Sequence, residues 1–278
     1  MKVVVAESAG FCYGVRRALD TVLAAAEKAG KPMFTLGPLI HNPQVIERLA
    51  SQGIGMVKSL DEVPDGSVII MPSHGVPRQV MERARDRGLE IIDVTCPFVA
   101  KVHRVAETLV NSGFQVVLLG DAGHTEVKGI VNVCGDDAIV VSGAEELADK
   151  DLKPKVGIVS QTTQSIGKYR ELVSAVSERV YEVHAYKTIC NATMDRQKAA
   201  LRVTSDIDVM IVVGGRNSAN TRRLAEICAE SGIPTHHVEV ADELDGAWFM
   251  EARNVGITAG ASTPDWIIEE VVDRVKAM

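Results

Sequence analysis

Three cysteines occupy matching places in the chain. Cys12, Cys96 and Cys190 each precede a stretch with apolar residues at helical spacing, then an apolar run closing on glycine: Thr35-Leu36-Gly37, Leu118-Leu119-Gly120 and Val212-Val213-Gly214. The cysteine-to-glycine spacings are 25, 24 and 24 residues. A polar cluster follows each glycine: His41-Asn42, His124-Thr125-Glu126 and Asn217-Ser218-Ala219-Asn220. A second apolar run in each segment ends in Ser73-His74-Gly75, Ser160-Gln161-Thr162-Thr163 or Ala261-Ser262-Thr263-Pro264. Equivalent loops of a pseudo-threefold assembly converge, so the repeat predicts one central site with three thiolates and a polar rim.

Three thiolates without a C-x-x-C pair fit neither a closed zinc finger nor a closely spaced ferredoxin run. Three ligands leave one metal position open, as a substrate site needs. A [4Fe–4S] cluster with one iron lacking a protein ligand fits soft ligands plus an incoming oxygen. Cys134 and Cys228 lie outside the repeat and read as buried structural thiols.

His41, His74 and His124 follow strands within the repeated clusters, and imidazoles donate to phosphate oxygens. Ser218, Asn220 and Ser262 hold the equivalent places in the third segment. Ser218 and Asn220 open a predicted helix, where they either cap it or, with its free N–H groups, bind an anion. Histidine, hydroxyl, amide and helix terminus together describe a diphosphate cage. Gly214-Gly215-Arg216 lacks the lysine of a P-loop, and Gly120-Asp121-Ala122-Gly123 is too weak a pattern for a dinucleotide fingerprint. Glu126 is the acidic member of the polar clusters. Beside His124 and facing Thr162, it suits a general acid, with burial raising its pKa and Thr162 and Thr163 orienting the proton. His103, His184, His236 and His237 lack the positional match and are expected to be structural.

The elements that must position these groups alternate along the chain. Strands are predicted at 2–5, 33–36, 68–71, 91–94, 116–119, 156–159, 209–213 and 255–258, and helices at 15–29, 77–87, 97–112, 191–205, 218–231 and 264–276. Pro77, Pro97 and Pro264 stand where a first helical residue belongs. Strand, helix, strand in succession implies right-handed parallel α/β units. Ligands bind at strand C-termini in such sheets, and each cysteine lies where a strand runs into a helix. The 278 residues are 46% hydrophobic with mean hydropathy near zero, which describes an ordinary globular chain. A net charge of −7 without a basic tail argues against nucleic acid. No transmembrane stretch appears, and residues 1–5 read as a first strand rather than a signal peptide, so no membrane partner and a cytoplasmic location are expected. Disulfides are rare in that compartment, and five widely spaced cysteines form no disulfide pattern.

At this point the residues resemble a known family. Ala9-Gly10-Phe11-Cys12-Tyr13-Gly14-Val15, Gly37-Pro38-Leu39-Ile40-His41-Asn42, Ser73-His74-Gly75, Asp93-Val94-Thr95-Cys96-Pro97, Gly123-His124-Thr125-Glu126, Gln161-Thr162-Thr163 and Thr258-Ala259-Gly260-Ala261-Ser262 are similar to motifs of the LytB family, the 4-hydroxy-3-methylbut-2-enyl diphosphate reductases. The likeness runs along essentially the whole chain. It implies an α/β trefoil of three pseudo-threefold-related units around a central [4Fe–4S] cluster, one per chain, held by Cys12, Cys96 and Cys190. The units are expected at 14–96, 97–190 and 191–278, joined by the N-terminal strand segment 1–13. The resemblance implies removal of an allylic hydroxyl with two electrons and two protons, giving isopentenyl and dimethylallyl diphosphate. His41, His74, His124, Ser218, Asn220 and Ser262 would hold the diphosphate, Glu126 supply protons and Thr162 lie beside the hydroxyl.

One departure is Ala219, where the family often has a second serine. With nothing after Met278, the chain is expected to be the short bacterial form. No nicotinamide or flavin motif is present, so electrons are expected from ferredoxin or flavodoxin, with Arg83 and Arg87 on one helix face as a contact for an acidic donor. Two other readings stand beside this one: a non-redox zinc hydrolase of a diphosphate ester using the same three cysteines, and a diphosphate- or cluster-binding sensor without turnover.

Overall fold

The computed structural model describes residues 1–28 and 30–278. Its strands form three parallel four-stranded sheets. One contains β2 (Met33–Leu36), β3 (Ile54–Val57), β4 (Val68–Met71) and β5 (Glu90–Asp93), in the order β3-β2-β4-β5. The next contains β6 (Gln115–Leu119), β7 (Ile139–Val141), β8 (Lys155–Ser160) and β9 (Glu182–Ala185), in the order β7-β6-β8-β9. The third contains β10 (Val209–Val213), β11 (Thr235–Val238) and β12 (Asn254–Ala259), with β1 (Lys2–Val5) as its fourth strand, in the order β1-β12-β10-β11. The three orders are the same arrangement. The chain's first strand completes its last sheet, with Lys2 paired to Asn254 and Val5 to Ile257.

The helices are α1 (Tyr13–Ala26), α2 (Pro43–Ser51), α3 (Arg78–Asp86), α4 (Pro97–Asn111), α5 (Thr125–Cys134), α6 (Ile166–Ser177), α7 (Asn191–Thr204), α8 (Ala219–Glu230) and α9 (Asp265–Ala277). Central strands are covered on both faces: every residue of β4, β6 and β10 is buried. That explains why, Gln115 apart, they consist only of Val, Ile, Leu and Met, since buried parallel strands have no polar face. In α4, Val99, Val102, Ala106 and Leu109 form the buried stripe, and the last three pack with β6 and β8 into one apolar core.

Contacts divide the chain into two compact units. One comprises Met1–Arg16, Ile40–Arg48 and Asn191–Met278 and holds the sheet of β1, β10, β11 and β12. The other comprises Arg17–Leu39 and Leu49–Cys190 and holds the remaining two sheets.

All eight predicted strands and six predicted helices are present, with ends displaced by a residue or two at most sites. The helix expected over 15–29 is α1, whose last helical residue is Ala26; Ala29 lies outside the described residues. Pro97 is the first residue of α4 as expected, whereas Pro77 and Pro264 stand one place earlier, as the caps of α3 and α9. Strands β3, β7, β9 and β11 and helices α2, α5 and α6 are additions. The added strands all lie at sheet edges, where half-exposed short runs carry little hydrophobic signal.

Candidate active site

The two inner strands and the cysteine-bearing edge of each sheet end in the candidate residues. Strands β2, β6 and β10 lead to His41, His124 and Ser218; β4, β8 and β12 lead to His74, Thr162 and Ser262; β5, β9 and β1 lead to Cys96, Cys190 and Cys12. One backbone hydrogen bond recurs three times. The N–H of Cys96 donates to the Ser73 carbonyl at 2.9 Å, that of Cys190 to Thr162 at 3.1 Å and that of Cys12 to Ala261 at 3.1 Å. A second recurring contact ties each inner strand's end to the neighbouring edge strand: Gly37 to Val57, Gly120 to Val141 and Gly214 to Val238, at 2.7, 2.8 and 2.9 Å. The repeat seen in the sequence is therefore a repeat of backbone geometry. All three cysteines are half-buried, and none is in a disulfide.

Glu126 and Thr162 meet. Glu126 is the second residue of α5 and is buried. The Thr162 N–H donates to its Oε1 at 2.7 Å, and the Thr162 hydroxyl to its Oε2 at 2.9 Å. Burial pushes the carboxyl pKa up to about 7 against the lowering effect of those two bonds. His124 caps the same helix, its Nδ1 accepting from the Glu126 N–H at 3.1 Å. An accepting Nδ1 leaves Nε2 as the N–H of the neutral ring. Thr163 follows, half-buried, and His74 is buried after β4.

The other unit brings His41, Ser218 and Ser262 together. Ser218 caps α8, its Oγ accepting from Thr221 N–H at 3.3 Å. Ser262 Oγ donates to the His41 carbonyl at 3.2 Å and lies 3.5 Å from Ser218 Oγ. Gly215 packs against His41: a Cβ there would sit 2.7 Å from the His41 carbonyl oxygen. Asn220 is buried in the first turn of α8, and its Nδ2 has no hydrogen-bond partner. The amide of Asn42 is alike: Oδ1 caps α2 by accepting from Val45 N–H at 2.9 Å, while Nδ2 is unpartnered. Unsatisfied buried donors at two helix starts are what an anion site carries before its ligand is counted. Burial, with the nearby Arg222 charge, lowers the pKa of His41.

Several contributors escaped the sequence reading. Arg17 of α1 donates to the Thr95 carbonyl at 3.2 Å, and buried Arg196 of α7 donates to the Gly10 carbonyl at 2.6 Å, each bracing a cysteine loop. Their signal was legible: a cation five or six residues after a repeated cysteine. Gln161 Oε1 accepts from Asp121 N–H at 2.9 Å and joins the ends of β6 and β8. Arg83 and Arg87, expected to face a donor, are engaged elsewhere. Arg83 pairs with Asp61, and Arg87 donates to the carbonyls of Leu60 and Val63 and to Asp65. The remaining histidines pack structurally: His184 against Phe114, His236 on Trp248, His237 on the Gly214 carbonyl and His103 beside Gly129. Burial pushes the thiols of Cys134 and Cys228 up to about 11, which makes both poor metal ligands.

As for the implied cluster, the three repeated thiols supply soft, part-exposed donors on matching backbone anchors, and this donor set fits an iron–sulfur group. Cys12 belongs to one compact unit, Cys96 and Cys190 to the other. Among the described residues, no three His, Cys, Asp or Glu side chains gather to hold a single metal ion. A surface cavity of about 640 Å³ beside β1, lined by Lys2, Glu7, Arg202 and Asp206 among others, contains none of the candidate residues.

Comparison with known sequences gives the lineage: the LytB protein family matches residues 3–276. The chain belongs to the LytB family. Its relatives include the 4-hydroxy-3-methylbut-2-enyl diphosphate reductase of Pelobacter propionicus, 47% identical over 99% of this chain and 98% of that one. The enzyme of the same name from Geobacter metallireducens is 45% identical over 99% and 97%. A solved structure of (E)-4-hydroxy-3-methyl-but-2-enyl diphosphate reductase, the terminal enzyme of the non-mevalonate pathway, is 41% identical with a TM-score of 0.72, covering 100% of both chains. The E-1-hydroxy-2-methyl-but-2-enyl-4-diphosphate reductase of Plasmodium falciparum is 27% identical, with a TM-score of 0.94 over 98% of this chain and 87% of that one. These LytB relatives give no support to the zinc hydrolase alternative. No helix among the described residues is long and apolar enough to cross a membrane.

Proposed function

We propose that this chain is an oxidoreductase that removes the hydroxyl of 4-hydroxy-3-methylbut-2-enyl diphosphate, giving isopentenyl and dimethylallyl diphosphate, the last step of the non-mevalonate isoprenoid pathway. The observation that carries this reading is the buried Glu126 carboxyl, clasped by Thr162 and holding its proton near neutral pH. Membership of the LytB family supports it. The three sheets are read as α/β units at 14–96, 97–190 and 191–278, joined by 1–13, in a trefoil. Cys12, Cys96 and Cys190 would hold one [4Fe–4S] cluster with one iron free of protein ligand, which when bound supplies electrons and a Lewis-acidic place for the hydroxyl.

The chain's own residues do the rest. The diphosphate is held by His41, His74, His124, Ser218, Asn220 and Ser262, with the unpartnered Nδ2 of Asn220 left to donate to one of its oxygens. Fixing that end fixes where the allylic hydroxyl lies. Thr162 stands beside the hydroxyl and, with Thr163, orients it; its backbone and side chain also hold Glu126 in place. Glu126 gives a proton to the leaving oxygen. The C–O bond breaks, water leaves, and the allyl fragment takes up two electrons and a second proton. Ferredoxin or flavodoxin in the cytoplasm would deliver the electrons.

The test begins with protein purified without oxygen. We expect about four irons per chain with matching sulfide, and conversion of 4-hydroxy-3-methylbut-2-enyl diphosphate to the two products under dithionite-reduced methyl viologen. Stoichiometric zinc with little sulfide, or an iron-loaded protein that leaves this substrate intact, would overturn the proposal.

A further inference from the structure

Two of the three cysteine loops are braced by an arginine from the helix that follows a different cysteine. Arg17, five residues after Cys12, reaches the carbonyl just before Cys96; Arg196, six residues after Cys190, reaches the Gly10 carbonyl before Cys12. The same rotation assigns the third brace to α4, which follows Cys96, directed at the segment before Cys190. Lys101, five residues after Cys96, holds that place. It braces nothing. Lys101 and Arg104 are exposed, and neither side chain has an ion-pair or hydrogen-bond partner among the described residues. With Val105, Thr108 and Tyr186 they line a surface cavity of about 150 Å³.

We propose that this open third brace is the docking surface for a small acidic one-electron carrier protein. The inference rests on the reductase reading, because that reaction consumes two electrons and the chain has no motif for a nicotinamide or flavin. Charge comes first. The chain carries −7 overall, so an acidic partner needs a local positive surface to approach. Several cations on this unit are spent on carboxylates, as with Lys31 on Glu90, Arg83 on Asp61 and Lys155 on Glu182. Glu107, next along α4, acts on Arg78 of α3. Lys101 and Arg104 remain available.

Position comes second. Both walls of the cavity lead to a candidate metal thiol. Cys96 caps α4, and at about 1.5 Å per residue Lys101 lies roughly 7.5 Å along the axis and Arg104 roughly 12 Å. Tyr186 is four residues before Cys190. Third, Phe98 is exposed one helical turn from Lys101, on the same face. Exposed aromatics flanked by cations match the make-up of a transient docking site. Filling the third position with a braced arginine would close this approach.

The test uses the cluster-loaded enzyme with K101E/R104E, and R274E/K276E on α9 as a control of equal charge change. Binding of purified flavodoxin is measured by calorimetry at low ionic strength, beside turnover driven by flavodoxin and by methyl viologen. We expect K101E/R104E to weaken flavodoxin binding about tenfold, a loss that shrinks at about 0.5 M salt, with viologen-driven turnover unchanged and the control like wild type. Unaltered flavodoxin affinity in K101E/R104E, or an equal loss in the control, would overturn the docking surface while leaving the reductase reading intact. A wild-type enzyme inert with viologen would sink the reductase reading, and this proposal with it.

Discussion

At the scale of single residues, the proposed reaction depends on where one proton resides. The Glu126 carboxyl has a pKa raised from 4.5 to about 7 by burial. As a proton donor it is active when protonated, so kcat/KM is expected to fall as pH rises through about 7. Thr162→Val removes a hydroxyl that stabilises the carboxylate and therefore moves this descending limb to higher pH; a pH–rate profile reads it directly. Glu126→Gln keeps the shape without the proton. It should bind substrate normally in calorimetry and lose about 10²-fold or more in turnover. The same group shapes stability. Between pH 4.5 and about 7 the native state retains a proton that the unfolded chain releases, so stability declines as pH rises across that window. Urea unfolding of Glu126→Gln should show a flatter profile there.

At the scale of elements, the site is only as good as the turns that end the strands. Gly214 follows β10 with φ +140, and a Cβ there would lie 2.3 Å from Thr263 Oγ1 and 3.1 Å from Thr221 Oγ1. Gly214→Ala thus meets both a backbone penalty and a clash, and should cost at least about 2 kcal/mol in chemical denaturation. Glycine was legible here as the close of an apolar run; the reason for it, a threonine pressed on each side, was not. Arg196→Met should cost about 1–3 kcal/mol, because the Gly10 carbonyl loses its partner in a buried setting. Central strands announced themselves by composition, whereas β3, β7, β9 and β11 did not, since an edge strand answers to its neighbour more than to its own residues.

Across the whole molecule, the five cysteines divide by environment. Cys134 and Cys228 are buried in apolar cores with thiols pushed up to about 11. Cys12, Cys96 and Cys190 are half-buried on equivalent loops. Iron analysis of single variants should therefore separate them. Cys134→Ala and Cys228→Ala are expected to keep the full iron content, with a modest loss of stability, and serine at any of the other three to lower it sharply. Uniform loss across all five would refute the assignment of ligands.

The sequence by itself determined the threefold repeat, the α/β class, the central strands and the residue types of the site, because buried parallel strands and helix starts leave periodic traces in a single chain. It also singled out Glu126 and Thr162 as neighbours, and the fold joins them by two hydrogen bonds. Only the tertiary structure decided that the first strand completes the last sheet, since that pairing joins residues some 250 positions apart. The expected burial of Glu126 is met and lifts its pKa to about 7, whereas the unpartnered Asn220 amide had no trace in the local pattern. The arginine braces and the unbraced Lys101 likewise depend on which helix faces which cysteine loop, a matter of packing between segments distant in the chain.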